Sequence, residues 1–342
     1  MTDNAPRRPT LAGRLLQRIA AHLVSAQAAE NRALRQELAQ LREMTRQIAE
    51  RLDQVHATQK QLDRVVKNQA IDEKFRMIFR RQLASLIRAA YFDTNIPAPL
   101  ALQARRFRLR SQNEEDGIIL SLLEATGVGS RRFVEIGCGG SGGNSAVLAL
   151  DMGWSGLMID GHPRAARVAG HEFRPNSGVT VVHAMVSPEN VNALLQQHGY
   201  TGEVDLLSID IDSIDYWILD ALDACTARVL VLEYNAHFGP TRAITLPRDP
   251  PTRDALPVEY FGASLAALDQ VARRKGYRLV LCEASGVNAF FVRNGYAPGI
   301  PTMTPEQAYR PFRHRLRDDE PLRPPEKVLA ALEREGLPLV SV

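Results

Sequence analysis

The chain has 342 residues, 45% of them hydrophobic, enough for one large domain with an appendage or for two domains. Its 42 basic and 39 acidic residues nearly balance, which argues against nucleic acid as the main partner. The cysteines Cys138, Cys225 and Cys282 share no metal-ligand spacing and indicate a reducing compartment. No apolar run reaches the ~20 residues that span a bilayer, and no signal-peptide core follows Arg7 and Arg8, so we expect a cytoplasmic protein.

The N-terminal region has a helical pattern. Residues 11–24 form a short amphipathic stretch, typical of a peripheral membrane contact or of the start of a helical stalk. Residues 30–92 contain no proline or glycine, and their apolar residues recur every three or four positions, at Leu34, Leu38, Leu41, Ile48, Leu52, Val55, Leu62 and Val66. This heptad seam, interrupted by Thr45 and Gln59, predicts a coiled coil that makes the protein a homo-oligomer. A single solvated helix is the alternative.

Composition divides the chain into segments. The proline-marked stretch IPAPLA, Ile96 to Ala101, predicts a hinge, and strands and helices alternate after it. Five segments are predicted: a flexible or amphipathic N-terminus over 1–29, a coiled-coil stalk over 30–92, a linker over 93–110, a catalytic domain over 111–295 and a C-terminal extension over 296–342.

The domain is predicted to be an α/β fold with a mostly parallel sheet. Seven strands are expected, over 132–136, 155–159, 179–183, 204–209, 228–233, 277–282 and 287–292. Six helices are expected between or before them, over 114–126, 143–151, 164–173, 189–198, 213–223 and 262–275. The last two strands are joined by EASG, Glu283 to Gly286, which is too short for a helical crossover, so the last strand should be antiparallel.

A glycine-rich turn follows the first strand, in FVEIGCGGSGGNS at Phe133 to Ser145. The acid Glu135 lies near the end of the predicted strand, and a G-x-G-x-x-G pattern starts at Gly137. Glycines let the backbone turn tightly and approach a ligand closely. Asp160 ends the second strand, where a carboxylate binds ribose hydroxyls. The glycine-rich turn together with Asp160 fits a dinucleotide or an adenosyl cofactor. A purely structural turn is the alternative.

The reversed last strand and the acids that end the first two strands resemble class I S-adenosylmethionine (AdoMet)-dependent methyltransferases. Within that superfamily the chain looks most like the FkbM-type and related sugar or natural-product O-methyltransferases. The resemblance covers about residues 111–295 and rests on five stretches: SQNEEDGI from Ser111, FVEIGCGGSGGNS from Phe133, GWSGLMIDG from Gly153, LLSIDIDSIDYWIL from Leu206 and LVLEYNAHFGP from Leu230.

The resemblance implies a set of AdoMet-binding residues. Asp160 matches the ribose-binding acid, and Ala184 and Met185 match the positions that pack on the adenine. Ser141 departs from the family, which often has a third glycine there. The full implied set is Gln112, Glu135, Gly137, Gly139, Asn144, Asp160, Gly161, Ala184 and Met185.

Acidic residues follow the fourth and fifth strands. Asp210, Asp212 and Asp215 follow the fourth strand, while Glu233 and Asn235 follow the fifth. Neighbouring parallel strands end at the same edge, and converging oxygen donors suit a hard cation. The sequence therefore predicts Mg²⁺ or Mn²⁺ on Asp210, Glu233 and Asn235, as in metal-dependent O-methyltransferases. The alternatives are that Asp212 and Asp215 cap the next helix and that Asp210 binds the cofactor or the acceptor alone.

Two residues are candidates for catalysis, Asp210 and His237, the latter because a histidine has a pKa suited to general-base work. A surface histidine is the alternative. The long loop over 237–261 is expected to be a lid whose arginines, Arg248 among them, suit a phosphorylated or carboxylated acceptor. A solvated loop is the alternative here.

The sequence thus predicts an AdoMet-dependent O-methyltransferase that is assisted by a divalent metal and acts on a sugar or glycan-like hydroxyl. One alternative is an NAD-dependent oxidoreductase, although no Tyr-x-x-x-Lys motif is present. The other is a non-catalytic coiled-coil scaffold, although Glu135, Asp160, Asp210 and Glu233 argue against lost chemistry.

Overall fold

The computed structural model describes residues 106–251, 256–313 and 322–342, together with Arg46. The predicted coiled coil, the oligomer formed through it and the N-terminal amphipathic segment lie outside these described ranges. In chain order the helices are α1 (Glu115–Thr126), α2 (Ala146–Leu150), α3 (Pro163–Glu172), α4 (Val191–Gln197), α5 (Asp215–Ala221), α6 (Leu265–Arg274), α7 (Pro305–Ala308) and α8 (Pro325–Arg334). The strands are β1 (Arg132–Ile136), β2 (Ser155–Asp160), β3 (Val179–His183), β4 (Gly202–Ile209), β5 (Cys225–Glu233), β6 (Ile244–Thr245), β7 (Tyr277–Cys282), β8 (Asn288–Arg293) and β9 (Val340–Ser341).

Seven strands form one sheet in the order β3-β2-β1-β4-β5-β8-β7. The strands β1 to β5 are parallel, and β8 runs antiparallel to both β5 and β7. The predicted mostly parallel sheet with an antiparallel last strand is therefore confirmed. The strand order reverses between β1 and β4, so the carboxyl ends of these two strands flank the crevice where open α/β sheets bind ligands.

The core lies on both faces of the sheet. The central strands β1, β4 and β5 are largely buried, and most of their buried residues are apolar, as expected for parallel strands covered by helices on each side. On one face, Val134, Leu207 and Leu230 pack with helices that include Leu219 and Leu268. All three cysteines are buried free thiols. None of the helices in the described ranges is both long and apolar enough to cross a membrane.

The C-terminal extension is built into the surface beside β5. Strand β9 pairs with β6, with Ser341 opposite Ile244. Helix α8 packs on a cluster that includes Phe238 and Tyr260. The Tyr260 hydroxyl donates a hydrogen bond to the carbonyl of Pro338 at 2.7 Å. The extension therefore forms one wall over the loop that follows β5.

Candidate active site

The glycine turn after β1 is pressed against the end of β4. Gly137 has a φ of +90°, and a Cβ there would lie 1.7 Å from the carbonyl oxygen of Asp210. Only glycine adopts this positive φ readily and also avoids a clash with the Asp210 carbonyl without a shift of the backbone. The Gly137 N–H donates to the carbonyl of Ile159 at 2.8 Å, which joins the turn to β2. The turn thus lies at the point where the strand order reverses.

Asp160 closes the glycine turn. Its Oδ2 accepts a hydrogen bond from the Gly139 N–H at 2.7 Å, and its Oδ1 accepts one from the His162 N–H at 2.7 Å. A carboxylate offers about four acceptor positions, so about two remain for further donors. The predicted ribose-binding acid is thus fixed by the backbone while it keeps the capacity to bind two hydroxyls.

Glu135 lies beneath the turn and is fully buried. Its Oε1 accepts from the Asn144 N–H at 3.1 Å, and the Ser145 hydroxyl donates to its Oε2. Asn144 also uses its Nδ2, which donates to Ser208 Oγ at 3.1 Å. Burial raises the pKa of Glu135 to about 7. Both side chains hold the turn in place, and their contact with the cofactor stays a prediction.

The predicted adenine side of the site lies next to the end of β2. Met185 is 74% exposed, and its Sδ lies 3.0 Å from where a Cβ on Gly161 would stand. The Ala184 N–H donates to the carbonyl of Asp160 at 3.0 Å, which holds this segment in place. An exposed thioether beside a glycine offers an apolar wall to a flat ring. Gln112 is exposed in the turn before α1, and its cofactor contact stays a prediction.

Two carboxyl groups meet where β4 and β5 end. The side chains of Asp210 and Glu233 are close enough for their ionisations to affect each other. The pKa of both groups lies well above the usual range. Burial is the larger cause, and repulsion by neighbouring acids is the smaller one. Two neighbouring carboxyl groups that are both ionised repel each other, which favours a proton on one of them. The pair therefore retains a proton under conditions in which ordinary carboxyl groups are ionised.

Asp212 and Asp215 have different roles in the turn after β4. Asp215 accepts hydrogen bonds from the N–H groups of Ile211 at 2.9 Å and Ser213 at 3.1 Å, so it braces the turn at the start of α5. Asp212 is exposed and has a φ of +54°, in the left-handed region. Backbone strain of this kind clusters at functional sites. The N-cap of α5 is Ile214, and the N–H groups that Asp215 binds precede the helix, so the predicted capping role is not observed for Asp215, whereas Asp212 borders the acidic edge.

The predicted metal-ligand set does not form. Asn235 is fully buried and caps the 3₁₀ turn Ala236–Phe238, since its Oδ1 accepts from the His237 N–H at 2.9 Å. Its Nδ2 donates to the carbonyls of Glu259 and Phe261, both at 2.8 Å. Within the described ranges, no three or more histidine, cysteine or acidic side chains are arranged to hold a metal ion. The residues present therefore do not fit the predicted Mg²⁺ or Mn²⁺ site.

His237 lines a cavity of about 870 Å³ between the turn after β5 and the C-terminal extension. Its ring centroid lies 4.8 Å from that of Phe312. Burial lowers the pKa of His237, so the imidazole is neutral at pH 7. Arg248 of the predicted lid pairs at the surface with Glu189, at 3.1 Å from its Nε. That pairing weakens the expectation that Arg248 binds an anionic acceptor.

Two residues at this edge were missed by the sequence analysis. Asn288 begins β8 and stands opposite Glu233. Its Nδ2 donates to Glu115 Oε1 at 3.2 Å. Glu115 belongs to the stretch SQNEEDGI, on which part of the family resemblance rests. Asn288 could be placed beside Glu233 only from the register of the pairing between β5 and β8, which the sequence does not reveal.

No family model matches the chain, and no curated protein matches it. Among solved structures, the N-terminal domain of EvdMO1 with SAH bound is 16% identical, with 62% of this chain and 94% of that chain covered and a TM-score of 0.37. An S-adenosylmethionine-dependent methyltransferase from Clostridium acetobutylicum ATCC 824 is 12% identical, with 65% and 98% covered and a TM-score of 0.34. The mitomycin 7-O-methyltransferase MmcR is 16% identical, with 52% and 56% covered and a TM-score of 0.31.

Similarities this weak carry no argument about function. The chain's own strand order and reversed β8 are the features on which the assignment of the fold depends. The protein has the α/β fold that its resemblance to class I methyltransferases implies.

Proposed function

We propose that this protein is an AdoMet-dependent O-methyltransferase that acts on a hydroxyl of a sugar or glycan-like acceptor. One observation carries the proposal. At a single edge of the sheet, a glycine turn closed by Asp160 stands next to the carboxyl pair of Asp210, which is half-buried, and Glu233, which is buried. The first feature suits an adenosyl cofactor, and the second suits the removal of a proton from a hydroxyl.

The cofactor half of the site is supported by the geometry of β1 and β2. AdoMet, when bound, supplies an electrophilic methyl group. Asp160 has acceptor capacity left for the ribose hydroxyls, and Gly137 and Gly139 carry no Cβ that would block close approach of the backbone. Met185 provides the exposed apolar surface for the adenine.

The acceptor half rests on the carboxyl pair. A hydroxyl must lose its proton as a methyl group is transferred to it, so a general base is needed. Glu233 and Asp210, whose pKa values are held well above the usual range, are stronger bases than ordinary carboxylates when one of them is ionised. His237, kept neutral by burial, is the second base candidate. No step is assigned to a metal, because Asn235 is engaged elsewhere.

Calorimetry tests the proposal against its two alternatives. We expect the protein to bind AdoMet and its demethylated product, and not NAD. Binding of NAD alone would favour an oxidoreductase, and failure to bind any of the three would favour a scaffold. Transfer of a tritiated methyl group from AdoMet to sugars, measured for the Glu233→Gln and His237→Ala variants, would then separate the two base candidates.

A further inference from the structure

Three residues form a row across the end of the sheet. Ile209 of β4 is paired with Leu232 of β5, so Asp210 and Glu233 are the next neighbours along these parallel strands. Glu233 is in turn paired with Asn288 of β8. Directly opposed residues point to the same face of a sheet, with Cβ atoms ~5 Å apart. The side chains of Asp210, Glu233 and Asn288 therefore lie side by side.

The row has two buried oxygens without a hydrogen-bond partner. Among the described residues, nothing donates to Glu233 Oε2 or to Asn288 Oδ1. Glu233 is 8% exposed and Asn288 is 2% exposed, so bulk water does little to satisfy them. A buried polar atom left unpaired costs ~1–3 kcal/mol, which a ligand with matching donors would recover.

The side-chain amide of Asn288 is bound through its nitrogen, and its oxygen has no hydrogen-bond partner among the described residues. Its Nδ2 donates to Glu115 Oε1. Glu115 also accepts from Asn113, through the Nδ2 at 3.0 Å and through the backbone N–H at 2.7 Å. Because Glu115 Oε1 accepts from the amide nitrogen of Asn288, the amide oxygen Oδ1 of Asn288 is left for another donor.

The charge around the row is negative. In the part of the chain that the structure describes, the charged groups that act most strongly on Asp210 and Glu233 are other acids, namely Asp212, Asp215 and, for Asp210, Glu135. An anionic ligand would be repelled here, whereas hydrogen-bond donors and positive charge would be stabilised.

We infer that Asp210, Glu233 and Asn288 form one hydrogen-bond-accepting row that binds the donor groups of an uncharged or cationic polyhydroxylated acceptor. This inference rests on the proposed function and narrows its substrate class. It opposes the expectation, drawn from the lid arginines, of a phosphorylated or carboxylated acceptor. In this assignment Asn288 is a binding residue and Glu115 positions it. The acceptor hydroxyl gives its proton to the carboxyl pair as its oxygen receives the methyl group.

The substrate class can be tested with four sugars that differ in charge. Methyl transfer from tritiated AdoMet would be measured for D-glucose, D-glucosamine, D-glucuronate and D-glucose 6-phosphate. We expect the uncharged and cationic sugars to react at least tenfold faster than the anionic ones. Equal or faster reaction of the anionic sugars would overturn the inference, as would the absence of transfer to both D-glucose and D-glucosamine by protein that binds AdoMet. Protein that does not bind AdoMet would instead refute the proposed function.

The role of Asn288 has its own test, with Asn294→Ala as the matched control on an exposed position just past β8. Asn288→Ala should raise KM for the reactive sugar about tenfold while the Kd for AdoMet stays within twofold. Asn288→Ser serves the same purpose if the alanine variant does not fold. A weaker affinity for AdoMet with an unchanged KM would mean that the row holds the amino group of the cofactor, and it would overturn the inference.

Discussion

Replacement of Glu135 by glutamine should change how stability depends on pH. Glu135 is fully buried, and it accepts hydrogen bonds from the Asn144 N–H and from the Ser145 hydroxyl. Glutamine has the same shape, its oxygen can accept from Asn144, and its amide can donate to Ser145. The main change is that the buried site no longer contains a group that ionises.

The size of the effect follows from the pKa of Glu135. Burial raises this pKa from 4.5 to about 7. A raised carboxyl pKa means that the folded protein holds its proton more tightly than the unfolded chain does. The stability from this group is fully present below pH 4.5 and is lost as pH rises toward 7. At 1.36 kcal/mol per pH unit, the loss totals about 3 kcal/mol.

Urea unfolding at about pH 5 and pH 8 would measure this difference. We expect the free energy of unfolding of Glu135→Gln, relative to wild type, to rise by about 2–3 kcal/mol between the two pH values. The control is Glu335→Gln, at an exposed position after α8, which should show no such change. A Glu135→Gln difference that is the same at both pH values would refute the argument that burial keeps this carboxyl protonated.

Four further changes test other parts of the structure. Gly137→Ala should cost at least about 2 kcal/mol in urea unfolding, because its Cβ would lie 1.7 Å from the carbonyl oxygen of Asp210. Asp160→Ala should weaken AdoMet at least tenfold by calorimetry, since each charge-assisted hydrogen bond contributes ~1.5–3 kcal/mol, whereas the exposed Asp249→Ala should not. EDTA should leave turnover unchanged, because the predicted third metal ligand is engaged elsewhere, and recovery only with Mg²⁺ would contradict this. Removal of residues 1–74 should give a monomer by light scattering; an unchanged mass multiple would locate the interface elsewhere.

The fold was predictable because its signals are local. Each predicted strand of the main sheet is a short apolar run that overlaps an observed strand, and buried parallel strands require such runs. The four-residue link between β7 and β8 allowed only a hairpin, which fixed the direction of the last strand. The glycine turn was readable for the same reason, since a position such as Gly137 that needs a positive φ and close approach admits little else.

The role of Asn235 was not readable, because its partners are distant in sequence. Its amide binds the carbonyls of Glu259 and Phe261, which lie 24 and 26 residues further along the chain. The 3₁₀ turn Ala236–Phe238 begins directly after Asn235, and the side chain of Asn235 caps it. A three-residue turn of this kind has no apolar periodicity that would reveal it.

The residue that stands beside Glu233 at the edge of the sheet is Asn288 and not Asn235. The prediction took Asn235 because it stands two residues after Glu233 in the chain. Neighbours at a sheet edge are set by register between strands, and β8 returns antiparallel so that Asn288 stands beside Glu233. The amide beside Glu233 therefore belongs to a strand that lies 55 residues further along the chain. Because that amide is held by Glu115, its oxygen is available to a ligand, whereas the amide of Asn235 is not.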